Sequence, residues 1–138
     1  MAVNLKYKPG QLMRTTPLIV ATAEDARTSN HALSGDPVVV GQLPGVALID
    51  ADSNGKTVVA LDGIWEVLVA GKDSSGTSGA DASVAVNGGD QVYFDKTKSP
   101  PLSKRAGGIP WGKVVGDAGV QQVASGATTT KCNVGVRY

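Results

Sequence analysis

Apolar residues in this chain come in short runs rather than at helical spacing. Most runs are β-branched and bounded by glycine, proline, asparagine or aspartate. That pattern predicts strands. We read them near Thr16–Thr22, Pro37–Gly41, Val46–Asp50, Lys56–Ala70 with a kink at Gly63, Ser83–Asn87, Gln91–Asp95, Trp111–Gly116 and Thr128–Arg137. The last alternates, with Cys132, Val134 and Val136 on one face and Lys131, Asn133 and Arg137 on the other, as a strand with one buried face should. Ala21–Leu33 is the one stretch able to hold a helical turn, and without an apolar stripe it reads as a loop. Asn54-Gly55 at the centre of Ser53–Lys56 predicts a type I′ hairpin turn, and Asn87–Asp90 serves the same purpose before Gln91. Lys72–Asp81 is a polar surface loop. Ser99-Pro100-Pro101 opens a second long loop, because proline cannot pair within a central strand.

A degenerate repeat runs through these elements. Ser34-Gly35-Asp36 followed by Pro37–Val40 is echoed by Gly88-Gly89-Asp90 followed by Gln91–Phe94. Each Gly-Asp strand leads to a glycine-led apolar run (Gly45–Ile49; Gly112–Val115) and then to a threonine-started strand (Thr57–Ala60; Thr130–Val134). Glycine can take φ values closed to other residues and aspartate can bond the backbone across the turn. The expectation is an all-β fold, a small barrel or sandwich of short strands with long loops, made of two similar three-stranded units. An extended N-terminal arm over residues 1–14 precedes one β domain over residues 15–138.

Composition narrows the function. The chain of 138 residues suffices for one core. Aromatics are only 4%, so valine, isoleucine, leucine and alanine must fill it. A net charge of +1 gives neither the basic face of a nucleic-acid binder nor an acidic tail. No run approaches the ~20 apolar residues of a membrane helix, and residues 1–14 lack the apolar core of a signal peptide. The single cysteine, Cys132, excludes an intrachain disulfide and suits a reducing cytoplasm.

Candidate catalytic, metal and cofactor sites all weigh lighter than the structural alternative. Asp50-Ala51-Asp52-Ser53-Asn54-Gly55 opens like a calcium-binding EF-hand loop, but the bidentate glutamate needed at its last position is Leu61, and both flanks read as strand. Gly55-Lys56-Thr57 resembles the end of a phosphate-binding loop, yet Asp50 stands where its first glycine belongs and a strand follows where a helix is needed. His31 is the only histidine, which excludes a histidine cluster and reads as a solvated loop residue. Cys132 alternates with two valines and reads as a small buried hydrophobe. Glu24 and Asp25 sit in a polar loop. Lys96, Lys98, Lys104 and Arg105 cluster near the proline-rich loop with only Tyr93 and Phe94 as stacking partners. That is too little for nucleic acid, and the cluster reads as a solvated loop or a rim meeting an acidic protein surface. Trp65 and Trp111 are expected as core or interface anchors. We therefore expect no enzyme and no cofactor.

The runs Ser34–Gly41, Pro44–Ala47, Val58–Val67, Gly89–Asp95 and Val134–Arg137 together resemble the small tailed-phage capsid cement, or head decoration, proteins. The resemblance extends from about Ser34 to the C-terminus, and its motifs are turns and strands. The loops Lys72–Asp81 and Ser99–Gly108 are insertions relative to that pattern. The resemblance implies a structural protein made in the host bacterial cytoplasm that binds the outside of an assembled head as a homodimer or homotrimer. There it bridges neighbouring major capsid proteins, with no nucleic-acid or membrane partner. The arm is the expected capsid-contacting segment, being extended at Pro9-Gly10, mildly basic through Lys6, Lys8 and Arg14, and supplied with Leu5, Tyr7, Leu12 and Met13 to bury. A receptor- or carbohydrate-binding module on the virion surface is the alternative, and it calls for exposed aromatics around a shallow polar site. A small β-barrel enzyme is disfavoured by the scarcity of histidine, cysteine and clustered acids.

Overall fold

A computed structural model describes residues 18–22, 32–77, 80–127 and 130–136. The described residues form thirteen strands and are all-β: β1 Leu18–Thr22, β2 Pro37–Val40, β3 Leu43–Ala47, β4 Lys56–Ala60, β5 Gly63–Ala70, β6 Lys72–Asp73, β7 Ala82–Ser83, β8 Val86–Asn87, β9 Gln91–Phe94, β10 Leu102–Ser103, β11 Ile109–Val114, β12 Gln121–Val123 and β13 Thr130–Val136. The first four make an antiparallel sheet in the order β1-β4-β3-β2. A closed barrel follows, in the order β10-β5-β13-β11-β9, with two small ribbons, β12-β8 and β6-β7, beside it.

The repeat seen in the sequence is a repeat of structure. The barrel strands β5-β13-β11-β9 reproduce the sheet β1-β4-β3-β2 strand for strand, so each three-stranded unit gains one strand. Registers match: Val46 and Ala47 of β3 face Ala60 and Val59, as Lys113 and Val114 of β11 face Gly135 and Val134. The opening turn is built twice from the same bonds. Gly35 and Gly89 hold φ of +90° and +88°. The Leu33 amide donates to Asp36 Oδ2 at 2.9 Å, and the Asn87 amide to Asp90 Oδ2 at 2.8 Å. Gly35 N–H reaches Ala47 O at 2.7 Å, as Gly89 N–H reaches Val114 O at 2.9 Å. The return bonds, Ala47 N–H to Asp36 O and Val114 N–H to Asp90 O, measure 3.0 and 2.9 Å.

Core positions repeat as well. The sheet buries Ala32, Val38, Ala47, Val59 and Leu61, with Val40 packed against them. The barrel has Val86, Val92, Val114, Val134 and Val136 at the corresponding places, with Phe94 in the place of Val40. The barrel adds Val67, Val69, Leu102, Trp111, Val123 and Cys132. The other face of the sheet supplies Val39 and Val46 to the barrel's cluster. Trp111, 1% exposed, fastens the two together by donating its indole N–H to Val38 O at 3.1 Å.

Local details differ from the expectations. The run Lys56–Ala70 is two strands, broken at Leu61-Asp62 and restarted at Gly63 with φ +108°. The β3–β4 turn is not type I′. Gly55 N–H donates to Asp52 O at 2.9 Å and Gly55 holds φ +75°, the pattern of a type I turn closed by a left-handed glycine. The start of the polar run Lys72–Asp81 is drawn into a ribbon with the residues that follow it, Lys72 facing Ser83 and Asp73 facing Ala82. The proline-rich loop carries β10, which pairs with both β9 and β5 and closes the barrel.

Candidate functional site

Two members of the basic cluster, Lys104 and Arg105, are engaged within the molecule. Arg105 is 9% exposed and makes a two-pronged pair with Asp81, Nε to Oδ1 and Nη2 to Oδ2, both at 2.7 Å. Its Nη1 donates to the buried Ser103 Oγ at 3.1 Å. Lys98 approaches Asp81 at 3.7 Å. Lys104 Nζ donates to Asp90 Oδ2 at 2.8 Å, and its amide to Lys72 O at 3.0 Å. These contacts pin the segment carrying β10 to the β6–β7 ribbon and to the second Gly-Asp turn. The guanidinium bonded to Asp81 holds that carboxyl below its usual range. Burial pushes Asp90 upward, but the Lys104 ammonium and the Asn87 amide outweigh it and leave the group lowered. Lys104 and Arg105 are thus paired within the molecule, which corrects the expectation of a solvated loop or rim for those two, while Lys96 is exposed and Lys98 half-exposed. Phe94 is buried in the core rather than offered for stacking.

The carboxylates of the two false motifs are turn acceptors. Asp52 Oδ1 takes the amides of Asn54 at 2.8 Å and Lys56 at 2.9 Å, while Asp50 Oδ1 takes the Ser34 amide at 2.9 Å. Cys132 is buried in the barrel, and burial alone pushes its thiol up to about 11, so at neutral pH it is not the thiolate that nucleophilic chemistry requires. Among the described residues no group of three histidine, cysteine or acidic side chains could hold a metal. No helix among them is long and apolar enough to cross a membrane. A shallow open cleft beside the β9–β11 connection is lined by Phe94, Asp95, Thr97 and Ile109. Its carboxylate is engaged by the Thr97 amide at 2.9 Å and hydroxyl at 2.6 Å.

Of the two tryptophans, Trp111 lies in the core. Trp65 is half-buried against it and donates its indole N–H to Asp62 O at 2.8 Å. The arm residues Leu5, Lys6, Tyr7, Lys8, Leu12, Met13 and Arg14, together with Glu24, Asp25 and His31, lie outside the described residues. Among the described residues the exposed large apolar side chains are Leu33, Leu43 and Ile49 on the sheet half, and Ile64, Leu68, Val115 and Val120 on the barrel half. The sequence reading passed over these, since a lone exposed leucine or valine carries no local signal.

The sequence profile of a family described as phage cement protein matches residues 20–136. No curated protein and no solved structure matches the chain.

Proposed function

The chain belongs to the phage cement protein family, and on that premise we propose that it binds the outer surface of an assembled phage head and stabilises it by bridging major capsid proteins. The observation that carries the reading is the family match over residues 20–136, most of the chain. Asp50, Asp52, Asp81 and Asp90 bonding the molecule's own turns and loops support it, because those carboxylates hold the β body together. The protein acts without catalysis, as a homodimer or homotrimer on the virion. Residues 1–14 form an arm laid across a neighbouring capsid subunit, and residues 15–138 form the β domain.

Deleting residues 1–14 is expected to weaken binding to purified heads at least tenfold while leaving the melting temperature of the free protein unchanged. Undiminished binding sinks the role of the arm. Absence of the protein from purified heads, seen by cryo-electron microscopy, sinks the cement reading as a whole. No exposed aromatic cluster stands among the described residues to favour a carbohydrate-binding module.

A further inference from the structure

The outer wall of the barrel departs from the rule that an antiparallel strand with one buried face turns polar side chains to water. Along β5 the inward positions are Trp65, Val67 and Val69, and the outward ones are Ile64, Glu66 and Leu68, with Ile64 64% and Leu68 39% exposed. Register sets Ile64 beside Gly135 of β13, Glu66 beside Asn133 and Leu68 beside Lys131. Val115, 42% exposed, continues β11 along the same face. Its N–H donates to Asn133 O at 2.8 Å, which puts it in the row of Glu66 and Asn133, and its Cγ2 stands 3.3 Å from where a Cβ on Gly135 would lie. Lys131 Nζ reaches diagonally to Glu66 Oε1 at 3.0 Å. Lys113 faces Gly135 from β11 and marks the margin, where its stem can lie along the wall and its ammonium stay in water. Single apolar side chains on a surface mean little. Three of them set around a glycine on one three-stranded wall form a patch, and patches mark contact surface.

The wall is balanced about its middle row. Ile64 and Leu68 lie at equal steps on either side of Glu66, and Val115 lies in the Glu66–Asn133 row itself. We propose that this wall is the contact through which the chain pairs with a second copy of itself, face to face about a two-fold axis that crosses the strands along the Glu66–Asn133–Val115 row. Such an axis sets Ile64 on Leu68 of the partner subunit and Val115 on Val115 of the partner subunit. It lays Lys131 over the open space at Gly135 of the partner subunit, diagonal to that copy's Glu66 as it is to its own. The two Glu66 carboxylates on the axis then alternate with two lysines. Apolar side chain on apolar side chain, long side chain on vacant position and charge on opposite charge make the self-complementarity that an isologous contact requires. The inference rests on the oligomeric cement reading above and gives the oligomer a face and a symmetry, a pair rather than a trimer.

The test is sedimentation of the full chain over a range of concentrations, with Ile64→Lys, Leu68→Glu and, as a comparison exposed on the sheet half, Ile49→Ser. The unaltered chain should sediment as a dimer. Ile64→Lys and Leu68→Glu change solvent-facing positions of the free chain, so their circular dichroism spectra should hold. Each should raise the dimer dissociation constant by about 10²-fold or more, because the symmetry places every substitution in the contact twice. Mixing the two variants should restore pairing, since the axis then sets the new lysine against the new glutamate at one end and leaves Leu68 on Ile64 at the other. Ile49→Ser should pair as the unaltered chain does. The proposal is overturned by a monomeric or trimeric unaltered chain, by single variants that pair normally, or by a mixture that stays monomeric. It is also overturned if the variants remain dimers and lose binding to purified heads, which would assign the wall to a capsid protein. Whether the unaltered chain binds heads at all judges the cement reading and leaves the sedimentation result standing, so the two can fail separately.

Discussion

The sheet β1–β4 and the barrel share strand order, register and turn chemistry, yet the sheet is open and the barrel closed. The difference traces to one connection. β2 passes into β3 through Gly41-Gln42, whereas the chain leaving β9 travels through residues 95–108 and lays β10 between β9 and β5 before β11 begins. Closure removes both edges and makes room for a filled interior with Phe94, Leu102 and Trp111. In the sheet the counterpart of Phe94 is Val40, only partly buried, and the core is Ala32, three other small residues and Leu61. The sheet compensates by burying its opposite face, through Val39 and Val46, on the barrel. The closed barrel encloses its large residues, and the open copy adds to its small core by packing its other face on the barrel.

The largest expected effect comes from removing that packing. Trp111→Ala removes a fully buried ring that also caps Val38 O, and should cost about 3–5 kcal/mol, read by denaturant unfolding. Amide exchange should then accelerate more in β2 and β3 than in β5 and β13. Equal acceleration throughout would mean that the sheet does not depend on the barrel.

A matched pair of glycines separates open from closed more finely. A Cβ on Gly45 would lie 2.5 Å from Ala60 O and 2.5 Å from Val59 Cγ1. On Gly112 it would lie 2.5 Å from Gly135 O and 2.9 Å from Val134 Cγ1. The same strand is pressed at the same point in both units. Gly45→Ala and Gly112→Ala should each destabilise by about 1–3 kcal/mol, outweighing the smaller gain from a stiffer unfolded chain. The cost should be larger at Gly112, because a closed barrel cannot spread its strands as an open sheet can. A larger loss at Gly45 in the same denaturation series would break the comparison.

Much of this was legible before the structure. The Gly-Asp turns, the glycine-led third element and the alternation of Cys132, Val134 and Val136 each follow from local chemistry, and the repeat follows from reading them together. Three things were hidden for physical reasons. β10 is two residues behind two prolines, and it becomes a strand only because β5 and β9 leave a gap of one strand's width. The turn at Asn54-Gly55 followed its dipeptide preference only in part, since the Asp52 carboxylate captures two amides and sets a different turn. The lysines and Arg105 looked like a patch because Asp81 and Asp90, far from them in sequence, could not be seen to face them.

The smallest expected effect concerns what holds the closing segment in place. Asp81 is lowered chiefly by its bonds to Arg105, and Asp73 by the Ser75 hydroxyl and amide. In Asp90 and Asp95 burial acts upward but is outweighed, by Lys104 and Asn87 in one and by Thr97 in the other. A carboxyl depressed in the folded state contributes stability above its unfolded value, near 4, and loses it as the pH falls through the folded value. Stability should therefore be level from neutral pH down to about 4 and decline below that. Exchange should rise first around Leu102–Arg105, where the pinned segment depends on Asp81 and Asp90. Asp81→Asn tests the assignment: it should lower stability at pH 7 by less than either glycine substitution and flatten the decline below pH 4. An unchanged slope would leave the Arg105 pair with no part in keeping the barrel closed, and would shift that task to the packing of Leu102 against Val69 and Phe94.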